Sequence, residues 1–372
     1  MSMRQPCTAF AACLALLASP VFAQDFIYDI SLPAAGVEPV KKTDPQYPRS
    51  RVRRGQEGWV LLNYVITPDG RAADPVIIDS TGGVAFEDAA RDMLAEWRFE
   101  PHESARLNNM LNIRFELKRG RDMATSNFLR RYRRIVTHLH HQETPEARAA
   151  VDQAQELGSW NLYETTMLSL MLGRVDGAEG NMAGKLEHYQ RALRVSNRNS
   201  LDGEDRRDLL MRMFLMQMGA SQYAAASQTL ALLRKERNNS RELGKLTVEI
   251  DELENKLASM GSLHARGTIY NPCDCEDGEP LWTYRPERRA FSFAKLEGEV
   301  ERFDLRCTND RWQAPIEPGK RWTIPENAGF CRIFVFGEDG ASFDFVEHVA
   351  AEPDIVVGAS KVAKNDVLDR RN

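Results

Sequence analysis

The stretch Gly58 to Ile66 alternates without leaving a polar side. Trp59, Leu61, Asn63 and Val65 fall on one face, and Val60, Leu62, Tyr64 and Ile66 on the other. A strand that is largely apolar on both faces has to be covered twice, so one side packs on a helix and the other meets more protein. The residues that follow supply the helix. Thr67-Pro68-Asp69-Gly70 is a hairpin turn, because Pro presets the dihedral at the second position and Gly takes the positive one that ends the turn. Pro75 has no N–H to give to a ladder, so the partner strand is expected from Val76 to Ser80, ended by Thr81-Gly82-Gly83. Phe86, Ala89, Ala90, Met93, Leu94 and Trp97 then recur at helical spacing, and Pro101 stops the helix. Leu111, Ile113, Phe115 and Leu117 alternate with Asn112, Arg114 and Glu116, the pattern of a half-buried closing strand with a wet outer face.

Several local motifs accompany that order of elements. Pro45-Gln46-Tyr47-Pro48 precedes it, Gly55 and Glu57-Gly58 lead into the first strand, Pro68-Asp69-Gly70 makes the turn, and Trp97-Arg98-Phe99-Glu100-Pro101 follows the helix. Together they resemble the TonB C-terminal domain family over roughly residues 40–119. The family includes the periplasmic energy transducer that engages outer-membrane receptors. The resemblance implies that a receptor's short N-terminal segment adds as a strand alongside the last strand, with the Gln-Tyr-Pro region close by. Carried onto this sequence, it implicates Gln46, Tyr47, Asn112, Ile113, Arg114, Phe115 and Glu116 as the peptide-binding edge. An unpaired sheet edge offers donors and acceptors to any extended peptide, so the physics agrees. The implied partner is an outer-membrane TonB-dependent receptor or a similar envelope protein, with a motor complex added if the chain keeps a membrane anchor. Force transmission of the TonB kind is not expected. From Phe22 to Tyr47 the chain reaches at most about 80–90 Å when fully extended, and it lacks the Pro density that would hold it so.

Residues 1–23 carry Arg4, an apolar run from Ala9 to Leu17, and Val21-Phe22-Ala23, the three parts of a secretory leader cleaved after Ala23. The apolar run is about ten residues long where a spanning helix needs about 20. A periplasmic protein is therefore expected, and retention of the leader would instead anchor it in the inner membrane. Cys13 lies inside the apolar run behind Phe10-Ala11-Ala12, which is a poor lipidation signal. Residues 24–44, with scattered Pro33, Gly36 and Pro39, read as a short irregular linker. The chain has 372 residues, 42% of them hydrophobic, enough for two or three domains with real cores. Its net charge of −5 becomes −6 when Arg4 leaves with the leader, and such mild acidity gives no case for nucleic acid.

Residues 122–260 change character. Apolar residues recur at helical spacing through Phe128 to Leu139, Ala147 to Leu157, Leu162 to Leu172, Lys185 to Val195, Arg207 to Met218, Tyr223 to Leu233 and Leu243 to Leu257. This is an α-helical array. Gly180, Tyr189 and Ala192 sit where a tetratricopeptide repeat would place them, and Tyr223 follows Tyr189 at about that repeat's period. Lys185 departs from the pattern, and a plain helical bundle remains the alternative.

Residues 262–350 change again, to short aromatic or β-branched runs: Thr268 to Tyr270, Phe291 to Phe293, Val300 to Cys307, Arg321 to Ile324, Cys331 to Phe336 and Ser342 to Val346. Gly337-Glu338-Asp339-Gly340 reads as a hairpin turn. A small disulfide-stapled sandwich or barrel is expected, with a charged, frayed tail over 351–372. Four cysteines remain after the leader, Cys273, Cys275, Cys307 and Cys331, and an exported chain meets an oxidising compartment. Cys273 and Cys275 are too close to bridge each other without strain. That favours each pairing with one of Cys307 and Cys331.

Each candidate for chemistry has a plainer reading that fits better. His138, His140 and His141 do not share one helix face, so they read as a polar helix end rather than a metal site. Arg130, Arg131, Arg133 and Arg134 read as a solvated face, and Met211, Met213, Met216 and Met218 as adaptable helix packing. Cys273-Asp274-Cys275 lacks the paired spacing of a zinc site. Asp274, Glu276, Asp277 and Glu279 lack that of a calcium loop. No nucleophile elbow, phosphate loop or His/Glu zinc motif is present, so neither enzyme chemistry, cofactor, metal nor small-molecule substrate is expected. The sequence thus points to an α+β multidomain protein: a TonB-like strand-strand-helix-strand domain at 45–119, a helical array at 122–260 and a disulfide-stapled all-β domain at 262–350. The competing class is an envelope scaffold or assembly factor in which the helical array binds the client.

Overall fold

The computed structural model describes residues 26–31, 37–81, 83–117, 124–158, 160–197, 200–271 and 279–349. The expected leader, Cys273, Cys275, the neighbouring acids Asp274, Glu276 and Asp277, and the tail at 351–372 lie outside the described residues. Among the described residues, no helix is long and apolar enough to cross a membrane.

The first domain is built on the two-faced strand. Strands β1 (Phe26–Ser31), β2 (Gly58–Ile66), β3 (Ala72–Thr81) and β4 (Arg106–Leu117) form one sheet in the order β1-β4-β2-β3, and every pair is antiparallel. Helix α1 (Arg49–Arg54) leads into β2, and α2 (Val84–Glu96) lies between β3 and β4. Phe86, Ala90, Met93 and Leu94 of α2 bury against Val60, Leu62 and Tyr64 of β2 and Leu111, Ile113 and Phe115 of β4. Two glycines are fixed by close approach. A Cβ at Gly58 would lie 2.3 Å from the Phe86 ring, and one at Gly70, whose φ is +79°, would lie 2.1 Å from the Phe99 carbonyl oxygen.

Two expectations for this domain change. β1 occupies part of the stretch expected to be an irregular linker. β3 begins at Ala72 rather than Val76, because the pairing skips from Asn63–Val76 to Val65–Ala73. The shift falls at Pro75, on the outer strand of the sheet, where a missing N–H breaks no continuous ladder.

The middle of the chain is helical, in successive antiparallel pairs. They are α3 (Ser126–His140) with α4 (Thr144–Glu156), α5 (Leu162–Ala178) with α6 (Met182–Val195), and α7 (Gly203–Gly219) with α8 (Tyr223–Lys235). Asn161 caps α5 through a reciprocal pair of hydrogen bonds with Glu164. Helices α5 and α6 approach closely because Gly173 leaves room for the Tyr189 ring, which would stand 2.6 Å from an added Cβ. The expected single helix from Leu243 to Leu257 is two, α9 (Ser240–Lys245) and α10 (Thr247–Ser259), meeting at the buried Leu246.

The last part is a sandwich of two four-stranded antiparallel sheets. Its strands are β5 (Ser262–Thr268), β6 (Leu281–Tyr284), β7 (Ala290–Glu297), β8 (Val300–Cys307), β9 (Arg311–Pro315), β10 (Arg321–Thr323), β11 (Cys331–Gly337) and β12 (Ser342–His348). The orders are β10-β7-β12-β5 and β6-β11-β8-β9. Phe291, Phe293, Phe303, Phe343 and Phe345 fill the space between the sheets. Strands β6 and β9, which the sequence left unassigned, are short and bordered by prolines. The turn from Gly337 to Gly340 is no hairpin within a sheet, because the strands it joins lie in opposite sheets.

The expected disulfide pairing is also corrected. Cys307 and Cys331 are bonded to each other, which follows from their standing directly opposite in the β8–β11 ladder. Proximity in sequence had suggested otherwise because it carries no information about register. A non-reducing peptide map of the purified protein should link the peptides bearing Cys307 and Cys331, and a bridge from either to Cys273 or Cys275 would contradict this pairing.

Glu347 ties the sandwich to the array. Its carboxylate accepts from the Tyr284 hydroxyl at 3.0 Å and from the Glu287 and Arg288 amides at 2.6 Å each. The Arg288 side chain in turn donates to the carbonyls of Leu257 and Met260 at the end of α10. Burial pushes the Glu347 carboxyl up to about 7, against those hydrogen bonds, which favour the ionised form. The folded protein therefore holds a proton that the unfolded chain releases near its ordinary value of 4.5. This group's contribution is complete below that value and is lost as the pH rises toward 7, an effect of about 3 kcal/mol. Glu347→Gln should flatten the fall in unfolding free energy between about pH 4.5 and 7, read from denaturant titrations across that range. An unchanged slope would remove Glu347 from the account.

Candidate functional site: the edge of β4 and the surfaces around it

The seven residues implicated by the sequence do not form one exposed surface. Gln46 is exposed, whereas Tyr47 is a core residue. Its ring meets those of Phe86 and Phe115 edge-on at 5.6 and 5.8 Å, and its hydroxyl donates to the Gln56 carbonyl at 2.6 Å. Ile113 and Phe115 point into the same core and are fully buried. The neighbouring Gln46 keeps its side chain outside because residues in extended backbone alternate sides.

Asn112, Arg114 and Glu116 were expected to face water. They face the helical array instead. Asn112 accepts from the Trp59 indole N–H at 2.5 Å, and Glu116 accepts from Asn197 at 3.2 Å. Arg114 is buried and donates to the backbone carbonyls of Val195 at 3.2 Å, Arg194 at 3.1 Å and Ser196 at 2.7 Å. Those carbonyls end α6, where a helix runs out of partners for its last C=O groups and carries partial negative charge. A buried guanidinium answers both needs, and sequence alternation alone could not distinguish it from a solvated arginine. Glu57 completes the seam, accepting from the amides of Leu117 and Leu162 at 3.0 Å each. Trp59, Leu162 and Val195 make an apolar plug beside it.

The sandwich covers the rest of the same face. Ile78 packs with Leu281, Phe334 and Phe336. Arg306, 1% exposed as a side chain, donates to Asp304 at 3.0 Å within the sandwich, and to Asn63 at 3.0 Å and Asp74 at 3.1 Å across the junction. Arg311 bonds both carboxylates, at 2.6 Å to Asp304 and 2.5 Å to Asp74. Burial alone would raise the Asp304 carboxyl, but the Arg311 hydrogen bond and the Arg306 charge outweigh it and hold the group below its ordinary value. Arg302, Asp304 and Arg306 alternate with apolar residues along β8 like any wet face, so nothing in the sequence marked them.

The β4 edge itself is not open. β1 pairs with it antiparallel from Phe26–Leu117 to Ser31–Asn112. The expectation of an unpaired edge is corrected to an edge that carries an extended segment of the same chain. No cluster of three or more metal-ligating side chains occurs among the described residues. His138 instead stands 2.7 Å from Glu143.

Residues 43–117 match the family model of the Gram-negative bacterial TonB protein C-terminal domain, so this part of the chain is a TonB C-terminal domain. Protein TonB of Pseudomonas aeruginosa is 38% identical over 74 residues, which are 20% of this chain and 22% of that protein. Protein TonB of Escherichia coli is 31% identical over 68 residues, 18% of this chain and 28% of that protein. A solution structure of the Pseudomonas aeruginosa TonB C-terminal domain aligns at 30% identity with a TM-score of 0.21, covering 23% of this chain and 92% of that one. The chain thus spans about a quarter of the length of the curated relatives it matches.

Arg114→Met keeps the aliphatic stem and removes the donors to three backbone carbonyls. It should lower unfolding stability by about 2–4 kcal/mol and speed amide exchange at the end of α6. Unchanged stability and exchange would mean that this contact does not hold the domain to the array.

Proposed function

We propose that this is an exported periplasmic protein that works by binding rather than catalysis. Its TonB-type domain takes up an extended segment of an outer-membrane transport partner by strand addition along Asn112–Glu116, within TonB-dependent transport. The observation that carries this reading is the six-residue antiparallel pairing on the outer edge of β4. An edge able to hold one extended segment in continuous register has the donors and acceptors to hold another. Exposed Gln46 flanks the core residue Tyr47, which leans on Phe115 of β4.

A second reading, an envelope scaffold whose helical array binds the client, draws on a different observation. The second face of the TonB-type sheet is committed to the array and the sandwich through Trp59, Arg114 and Arg306. A domain held so firmly is well suited to docking a larger body to the envelope.

A photoreactive side chain placed at Gln46 tests the first reading. A TonB-box-like peptide should bind the protein and cross-link at that position, and amide exchange should slow along Asn112–Glu116. If the peptide binds neither the whole chain nor one without residues 26–31, strand addition is wrong and the scaffold reading remains.

A further inference from the structure

β1 is the terminal strand of its sheet, with β4 as its one neighbour in the ladder. β2, β3 and β4 are fastened by α2 on one face and by the array and the sandwich on the other. β1 follows none of those elements in sequence, and Pro33, Gly36 and Pro39 separate it from the domain. A terminal strand, paired on one side only, is among the parts of a fold that open at least cost.

We infer that residues 26–31 are a resident ligand of the strand-accepting edge, and that a partner segment binds only in their place. The inference rests on the strand-addition reading and adds the competitor to it. The backbone groups of Asn112–Glu116 that point away from β2 form a single set, so β1 and an incoming peptide cannot both use them. Binding is therefore coupled to release of β1, and the apparent affinity for a partner falls with the fraction of molecules in which β1 has left. The geometry also limits the partner. It is an extended segment that offers about the six residues β1 offers, without proline at positions whose N–H must reach β4.

The test compares the whole chain with a variant lacking residues 26–31. Each is titrated by fluorescence anisotropy with two labelled peptides, one copying residues 24–33 of this chain and one TonB-box-like. Both should bind the deletion variant at least about tenfold more tightly than the whole chain, the factor expected if β1 is in place in nine molecules of ten or more. Equal affinities for the two proteins would overturn the resident strand and leave strand addition standing. Binding of the 24–33 peptide to the deletion variant, with no binding of the TonB-box-like peptide to either protein, would sustain the resident strand and remove the receptor reading. Failure of a folded deletion variant to bind the 24–33 peptide would overturn the inference.

A deletion can unfold a domain, so a pair of substitutions in the whole chain provides a second route. Neighbouring residues of a strand turn their N–H groups to opposite sides. Of Tyr28→Pro and Asp29→Pro, one therefore removes a bond to β4 and the other removes a donor from the open side. One should raise peptide affinity toward that of the deletion variant, and the other should keep the affinity of the whole chain. Identical affinities for the two would overturn the inference.

Discussion

The structure depends on β2 being apolar on both faces. Burying a side chain such as Val60, Leu62 or Leu61 is worth about 1.5–3 kcal/mol, while an exposed ion pair gives about 0–1. The apolar terms therefore decide that β2 must lie inside, between α2 and something else. Within this small domain α2 covers one face of the sheet, and the short α1 has no buried residue with which to cover the other. Trp59 is fully buried only because α5 and α6 bring Leu162 and Val195 to it. Ile78 is buried because the sandwich supplies Leu281, Phe334 and Phe336. The TonB-type domain is thus the part on which the array and the sandwich converge.

Apolar contact fixes that these surfaces meet, and polar contact fixes how. Asn63 lies on the second face of β2 and is fully buried, so its amide needs partners. It finds them in Asn108 at 3.0 Å and in Arg306 of the sandwich. Arg306 would be a costly buried charge without Asp304 and Asp74, and removing either side of such a group leaves the other unpaired. Arg114 and Glu57 place the end of α6 and the start of α5 against β4 and its edge. These bonds are directional where hydrophobic contact is not, and they make one arrangement of the three parts better than its neighbours.

The same arrangement shapes what the domain can do. One face of its sheet carries α2 and the other is used up inside the chain, so new contacts are confined to the sheet's margins. On the β3 side, Asp74 is bonded to Arg306 and Arg311. On the β4 side, the neighbour is a short N-terminal strand with no other place in the sheet. That edge belongs to a domain clamped into a larger body. Arg114 and Glu57 hold that domain to the helices, and Arg306 holds it to the sandwich.

Sequence by itself determined the parts. The strand-hairpin-strand-helix-strand order, the helical stretch and the closing β region follow from periods of two and near four in apolar residues, set by backbone geometry wherever a face is buried. It also required that β2 be covered twice. It could not assign the occupants of the second face, because Asn112, Arg114, Glu116 and Arg306 alternate with apolar residues as solvated side chains do. Register and topology were equally out of reach. The bond between Cys307 and Cys331 depends on β8 and β11 being neighbours, and the closed edge of β4 depends on residues 26–31 returning to pair with it. Those facts join positions far apart in the chain, and only the tertiary structure, in which they compete for the same buried surface and the same backbone groups, decides them.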